Sequence, residues 1–167
     1  EVNLRGAELE GAELREGDFS KADLQGASMK GARLFGANLK GADLSQAHLL
    51  HANFQGADLR GAEFRGVVLR ETNLQGANLE GAKIEEADLV QANFQEAKLM
   101  NANLSYSKAF GAKFREADLS GAKLVKTKFQ EADLTSANLS KADLERATFR
   151  DANLGKARLQ ETRLYQT

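Results

Sequence analysis

Ten residues, Gly36–Ser45 with the sequence GANLKGADLS, contain the pattern that decides the fold. Leu39 and Leu44 are five residues apart, and an alanine stands two residues before each of them. The same spacing continues along the chain, because every fifth residue from Leu4 to Leu164 is Leu, Phe, Ile or Met, with Ala109 as the exception. An internal repeat of this regularity is the first evidence to weigh when a fold is assigned.

A period of five residues fits neither a regular helix nor a straight strand. In an α-helix, five residues rotate the chain by about 500°, so successive leucines would lie roughly 140° apart around the axis. In one continuous strand, an odd spacing would place successive leucines on opposite faces. Ala and Leu two residues apart do share one face of a short extended piece. The pattern therefore predicts a three-residue extended piece followed by a tight turn, repeated into a solenoid.

The second turn residue of each unit is often glycine, for which a positive φ is cheap. Lys21, His51 and Tyr106 stand at the same place in other units. Because residues with a β-carbon disfavour positive φ, we expect that φ is not positive at every corner and that at least two turn types occur.

The stretches GANLKGADL, QGADLRGAEF and KADLERATF, at residues 36–44, 55–64 and 141–149, resemble the A(D/N)LXX motif of the pentapeptide-repeat family. The resemblance covers residues 1–167 and implies one all-β domain, a right-handed quadrilateral parallel β-helix of about eight coils with four pentapeptides per coil. It also implies that the Ala and Leu/Phe places point inward, each large side chain stacking on the one twenty residues away. The expected core ladders contain Leu24, Leu44, Phe64, Ile84, Leu104, Phe54, Leu74, Phe94, Phe114 and Leu79.

Three threonines, Thr72, Thr127 and Thr162, stand at the inward alanine place. A buried hydroxyl needs a hydrogen-bond partner. We therefore expect each of these side chains to find one inside the rod.

A coil of twenty residues assigns every outward residue to one of four walls. The wall made of units 6–10, 26–30, 46–50, 66–70, 86–90, 106–110, 126–130 and 146–150, here called the irregular wall, collects most departures from the repeat. In unit 106–110, YSKAF, Ala109 takes the leucine place and Phe110 follows one residue later. Either Phe110 leans inward to fill the space that Ala109 leaves, or it forms part of a surface.

Exposed apolar groups bordered by charge are typical of interaction sites, although single exposed apolar residues are also ordinary. Leu50, Arg70, Val90 and Phe110 form one outward column of the irregular wall, and a basic patch follows in the later coils. We expect an unidentified protein to bind there. The candidate partner surface is His48, Leu50, Val68, Val90, Tyr106, Lys108, Phe110, Lys126, Lys128, Arg146 and Arg150.

Composition narrows the classes of partner. The 23 Lys and Arg nearly balance the 24 Asp and Glu, so nucleic acid is not the expected partner, and contact through Lys126, Lys128, Arg146 and Arg150 is the alternative. No cysteine is present, which excludes disulfides and thiolate metal sites. No apolar run reaches the length of a membrane span. A soluble, cytoplasmic protein is favoured, with a removed upstream targeting segment as the alternative.

No enzymatic or metal-binding role is expected. The chain contains no GxGxxG, GxxxxGK[ST] or GxSxG motif, and ladders that fill the interior leave no pocket. His48, His51 and Glu71 could together contact zinc, but a fourth ligand is not evident. We expect no cofactor and no metal.

The resemblance implies two classes of function. Some family members protect type II DNA topoisomerases with an acidic rod that resembles DNA, so a DNA mimic that binds DNA gyrase is one alternative. The nearly balanced charge of this chain favours the other, a non-enzymatic interaction or scaffold module. The open ends of the rod also predict a homodimer formed by stacking of terminal coils, through Leu164 and Tyr165.

Overall fold

A computed structural model describes residues 2–167 of the chain. These residues contain no helix, and each five-residue unit contributes one bridging residue between two short flanks. Each bridge is parallel and joins a residue to the one twenty later, from Asn3 with Asp23 to Asp143 with Arg163. Four units therefore complete one coil, and each coil pairs with the next. The predicted all-β class and the parallel stacking of coils are confirmed.

The interior is a continuous apolar core that runs from Ala22 to Ala147. Because bridges are twenty residues apart, each inward side chain packs on its counterpart in the next coil. The phenyl rings of Phe94 and Phe114 stack with centroids 4.8 Å apart, and Phe129 meets Phe114 edge-on at 5.6 Å. The expected ladder residues are all buried, with an exposed fraction of 0–1% for Leu24, Leu44, Phe64, Ile84, Leu104, Phe54, Leu74, Phe94, Phe114 and Leu79.

The corners share one geometry, and the expectation of two turn types is wrong. The second turn residue has a positive φ between 51° and 67° in every unit from Gly6 to Gln166, whether or not it is glycine. Tyr106 adopts a φ of 64° there. A positive φ at this place, together with a bond such as Ala7 N–H to Leu4 O at 3.0 Å, defines a type II turn.

The coil above each corner explains why side chains with a β-carbon accept this strained conformation. The amide of the second turn residue donates to a carbonyl nineteen residues later, as from Gly6 to Gln25 at 2.8 Å and from Glu16 to Phe35 at 2.9 Å. A different φ would break this bond between coils. The tertiary ladder therefore overrides the local preference.

The Asp or Asn that precedes the inward Leu or Phe caps the turn. Its side-chain oxygen accepts the N–H of the residue two places later, as Asn3 does from Arg5 at 3.1 Å and Asp133 does from Thr135 at 2.9 Å. That N–H has no part in the turn or in the ladder between coils, so it would otherwise depend on solvent. This explains the (D/N) of the repeat.

The inward hydroxyls have partners in the coil below, as expected. Thr72 Oγ1 donates to Leu49 O at 2.7 Å, and Thr127 Oγ1 donates to Leu104 O at 2.9 Å. Thr162 Oγ1 lies 3.2 Å from Leu139 O. Each accepting residue is the large inward residue twenty-three places earlier.

Candidate functional site: the irregular wall

The structure places the candidate partner surface along one side of the rod. Bridges join His48 to Val68 and Asp88 to Lys108, and Lys108 is bridged in turn to Lys128. The Gln91 N–H donates to Phe110 O at 3.0 Å, which sets Phe110 in the outward column one coil above Val90. The residues that the repeat assigned to this wall are therefore neighbours on it.

The apolar part of the wall is only partly open. Leu50, Val68, Val90 and Phe110 are half-buried, whereas Tyr106 is 55% exposed. Ala109, not Phe110, belongs to the buried core, so the aromatic ring lies outside the ladders. Phe110 and Tyr106 thus offer an apolar contact at the start of the basic patch.

The basic part of the wall is exposed, and little of it is neutralised. Lys108, Lys126 and Lys128 have no ion pair with any residue in the described range 2–167, while Arg150 Nε lies 3.2 Å from Asp151 Oδ2. Lys126 Nζ lies 5.2 Å from the centroid of the Tyr106 ring, within range of a cation–π contact. The patch therefore joins cations to an aromatic side chain that one of them already contacts.

The other walls show a different arrangement of charge. Glu63 pairs with Lys83 at 2.7 Å, and Arg60 pairs with Asp58 at 2.5 Å. The side-chain hydrogen bond from Arg60 holds the pKa of Asp58 below its usual value. Opposite charges on these walls offset one another locally, so those walls do not form strongly acidic faces.

A surface depression of about 440 Å³ lies at the corner that precedes the irregular wall, although no pocket was expected. It forms where Ser105, which is 7% exposed, is much smaller than its column neighbours Glu85 and Val125. The polar groups of this depression bond to one another, with Ser105 Oγ 2.7 Å from Asn103 Oδ1 and Asn103 Nδ2 2.6 Å from Glu85 Oε1. Its lining residues are Arg65, Glu85, Glu86, Asn103, Ser105, Tyr106 and Val125.

This depression was missed because the repeat analysis followed large residues. A small residue between two longer ones in the same column was the available signal. The Ser105 hydroxyl is held by an amide, which is not a general base, so the arrangement does not resemble an activated nucleophile.

The histidines do not come together with a ligand set for zinc. His51 Nδ1 lies 3.6 Å from Glu71 Oε2, one coil away as expected, and both side chains are more than half exposed. His48 stands at a separate place on the wall. Within residues 2–167, no group of three His, Cys, Asp or Glu side chains is placed to hold a metal ion.

The same range also lacks any helix with the length and apolar character that crossing a bilayer requires.

The chain belongs to the family of pentapeptide repeats. The family matches it in eight copies over residues 1–31, 32–70, 47–85, 77–116, 112–151 and 127–166. The resemblance identified from the A(D/N)LXX motif is thereby confirmed. No curated protein matches the chain.

Solved structures with this fold include three informative neighbours. Rfr23, a pentapeptide repeat protein from the cyanobacterium Cyanothece, is 25% identical over 67% of this chain and 90% of its own, with a TM-score of 0.57. QnrB1, a plasmid-mediated fluoroquinolone resistance protein, is 22% identical over 98% of this chain and 89% of its own, with a TM-score of 0.51.

HetL from the cyanobacterium Nostoc, a pentapeptide repeat protein involved in the regulation of heterocyst differentiation, is 28% identical. The match covers 97% of this chain and 86% of HetL, with a TM-score of 0.37.

Proposed function

We propose that this chain is a right-handed rod of about eight coils that acts as a non-enzymatic protein-interaction module and binds its partner through the irregular wall. The observation that carries the proposal is the clustering of departures from the repeat on this one wall. There, the exposed ring of Tyr106 and the half-buried ring of Phe110 adjoin cations that are largely unpaired.

Rigidity supports this role. Hydrogen bonds between coils fix both flanks of every unit, as from Leu4 N–H to Asp23 O at 2.7 Å and from Asp23 N–H to Val2 O at 2.9 Å. A surface on such a scaffold loses little conformational entropy when a partner binds. Side chains on successive coils are also held at a constant spacing, which suits recognition by an extended partner.

The test compares two sets of apolar truncations in affinity capture from a lysate of the organism that encodes the protein. The first variant combines Leu50→Ala, Val90→Ala and Phe110→Ala on the irregular wall. The matched control combines Phe35→Ala and Met100→Ala, which remove apolar side chains from other walls.

All three substituted residues of the first variant lie outside the core, so both variants should unfold at nearly the wild-type temperature. We expect a protein captured by the wild type to be captured equally by the control and to be lost with the irregular-wall variant. Equal capture by the two variants would contradict the proposal.

The alternative, a DNA mimic that binds DNA gyrase, has less support. Mimicry of DNA requires a strongly negative face, whereas acids such as Glu63 and Asp58 are paired with Lys83 and Arg60. The likeness to QnrB1 at 22% identity concerns the fold alone. Inhibition of gyrase supercoiling by the purified wild-type protein would reverse this preference.

We further propose a homodimer formed through the last described coil. Leu164 and Tyr165 are 52% and 57% exposed there, and Leu159 is 39% exposed. Sedimentation velocity should show a dimer whose population rises with concentration and falls after Leu164→Asp. A monomer at every concentration would contradict this proposal.

A further inference from the structure

The later coils of the irregular wall lack the side-chain caps found on the other walls. Across the rod, each Asp or Asn before the inward residue accepts the N–H two places later, and on this wall Asp88 does so for Val90 at 3.3 Å. Lys108, Lys128 and Thr148 take the Asp/Asn place in the next three coils. As a result, the N–H groups of Phe110, Gln130 and Arg150 have no acceptor among residues 2–167.

These three N–H groups point outward in register. The corners that follow them have the same φ as the capped corners, 60° at Gly111 and at Glu131. The N–H direction is therefore the one in which a capping oxygen normally lies. Since Lys108 and Lys128 are bridged, the donors repeat along the wall at the strand spacing of about 4.8 Å.

Cations surround this row of donors. Lys108 and Lys128 stand at the cap places themselves, Lys126 and Arg146 border the wall at one corner, and Arg150 lies in the outward column. Glu131 and Asp151 lie at the opposite corner, and Asp151 is paired with Arg150. Backbone N–H groups between unpaired ammonium groups favour an anion, because both kinds of donor act on the same oxygen.

We infer that units 106–110, 126–130 and 146–150 bind an acidic segment of a partner protein, whose Asp or Glu carboxylates take the places of the missing caps. Each carboxylate accepts the N–H of Phe110 or Gln130 and pairs with Lys108 or Lys128. The inference rests on the proposed function, since it names the chemistry of the partner that this wall recognises.

Two features favour a protein carboxylate over a nucleic-acid phosphate. The capping group at the equivalent place elsewhere is itself a carboxylate or amide oxygen, so the free N–H is placed for a group of that shape. The rings of Tyr106 and Phe110 lie beside the donors and provide an apolar contact for the segment. Glu131 and Asp151 at the border would also repel a long polyanion.

The same patch contains a further unsatisfied polar group. Gln130 Oε1 is buried and has no hydrogen-bond partner among residues 2–167. Such groups are rare in isolated folded proteins. This is consistent with a surface whose polar groups are completed when a partner binds.

The test uses a fluorescein-labelled peptide of Asp-Glu-Tyr repeats, with an Asn-Gln-Tyr peptide of the same length as the uncharged probe. Fluorescence anisotropy with the purified full chain measures the dissociation constant at low salt. We expect the acidic peptide to bind and the uncharged peptide not to bind. Failure of the acidic peptide to bind at low salt would overturn the inference.

Two double variants separate the charge from the free N–H groups. Lys108→Gln with Lys128→Gln removes both charges and leaves the N–H groups uncapped, because glutamine is one methylene longer than asparagine. Lys108→Asn with Lys128→Asn removes the same charges and restores the caps that asparagine forms on the other walls. Both variants should fold, since neither residue is buried.

We expect the Gln pair to weaken binding about tenfold and the Asn pair to weaken it about fivefold more. The control pair Lys113→Asn with Lys123→Asn, on other walls, should leave binding unchanged. Equal loss in the Gln and Asn pairs would overturn the role of the N–H groups. Equal loss in the control pair, or tighter binding of single-stranded DNA than of the acidic peptide, would overturn the assignment to an acidic protein segment.

This test is independent of the lysate capture described above. If the irregular wall captures a protein but the acidic peptide does not bind, the proposed function stands and the inference about acidic segments is wrong. If the peptide binds and Leu50→Ala, Val90→Ala and Phe110→Ala do not affect capture, the proposed function is wrong.

Discussion

At the scale of single residues, the Asp or Asn of each unit contributes a hydrogen bond that the backbone cannot make for itself. Asp133 accepts both the Thr135 hydroxyl, at 2.5 Å, and the Thr135 amide, at 2.9 Å. The hydroxyl and then the amide hold the pKa of Asp133 below its usual value, against the opposing effect of burial. The ionised carboxylate is therefore bound more strongly in the folded protein than in the unfolded chain.

This lowered pKa predicts a defined dependence of stability on pH. The carboxylate stabilises the fold above its unfolded pKa of about 3.9, and this contribution is lost as the pH falls through the lower folded pKa. Asp133→Asn keeps the cap and removes the titration. Urea unfolding at a series of acidic pH values should show a shallower loss of stability for this variant than for the wild type.

The control for that experiment is Asp151→Asn, at an exposed corner away from the cap place. A pH profile of Asp133→Asn that matches the wild type would contradict the role assigned to Asp133.

Ser107 shows how one buried hydroxyl can replace part of a turn. Its Oγ donates to Ile84 O at 2.7 Å and accepts the Ala87 N–H at 3.1 Å. At the corner one unit earlier, the equivalent groups bond directly, from Ala82 N–H to Leu79 O at 3.0 Å. The hydroxyl of Ser107 is thus inserted into the corner of the coil below.

Removing this hydroxyl should destabilise the rod, because Ser107→Ala leaves the Ile84 carbonyl and the Ala87 amide without their partner. We expect the free energy of unfolding to fall by about 1–3 kcal/mol in urea titration. Ser120→Ala makes the same chemical change on a half-buried surface side chain and should cost much less. Equal losses in the two variants would show that the inserted hydroxyl is not stabilising.

At the scale of the structural element, the type II corner is the unit from which the rod is built. Its second residue is left-handed in each unit, although many of these residues are Glu, Lys or Gln. A left-handed conformation costs about 1–2 kcal/mol for a residue with a β-carbon. The glycine at so many corners removes this cost, and hydrogen bonds between coils offset it where glycine is absent.

Gly61 allows the conformational cost to be measured without steric contact. Its φ is 64°, and a β-carbon added there would meet nothing within 4 Å. We expect Gly61→Ala to lower the free energy of unfolding by about 1 kcal/mol. Gly61→Asn should cost less, because asparagine tolerates the left-handed region better, and a loss for Asn equal to or larger than that for Ala would contradict this account.

At the scale of the whole molecule, the rod is a one-dimensional stack. Parallel bridges join only adjacent coils, so no residue in the first coil contacts the last. Side chains in the middle coils have neighbours above and below. Side chains in the last described coil have neighbours on one side, which leaves Leu159 39% exposed while Leu79 is fully buried.

This difference in surroundings predicts a gradient in the cost of core truncation. Leu79→Ala should lower the free energy of unfolding by about 2–5 kcal/mol, because it opens a cavity between two complete coils. Leu159→Ala makes the same change in an incomplete environment and should cost markedly less. Urea unfolding measures both, and equal costs would contradict the stacked architecture.

The sequence by itself determined the all-β class, the inward places and the membership of each wall. Those properties follow from position in the repeat, since a period of five excludes the helix and a coil of twenty residues sets which side chains align. The hydroxyl partners of Thr72 and Thr127 were also predictable, because a buried hydroxyl requires an acceptor. Lys108 and Lys128 could likewise be assigned to one patch from their spacing alone.

Only the tertiary structure decided the corner geometry, the depression beside Ser105 and the row of free N–H groups on the irregular wall. Local preference argued against a positive φ at Tyr106, and bonds between coils overruled it. The depression depends on the relative sizes of side chains in three different coils. The free N–H groups became evident only when each backbone donor was paired with its acceptor, because those acceptors belong to other coils or to side chains that this wall lacks.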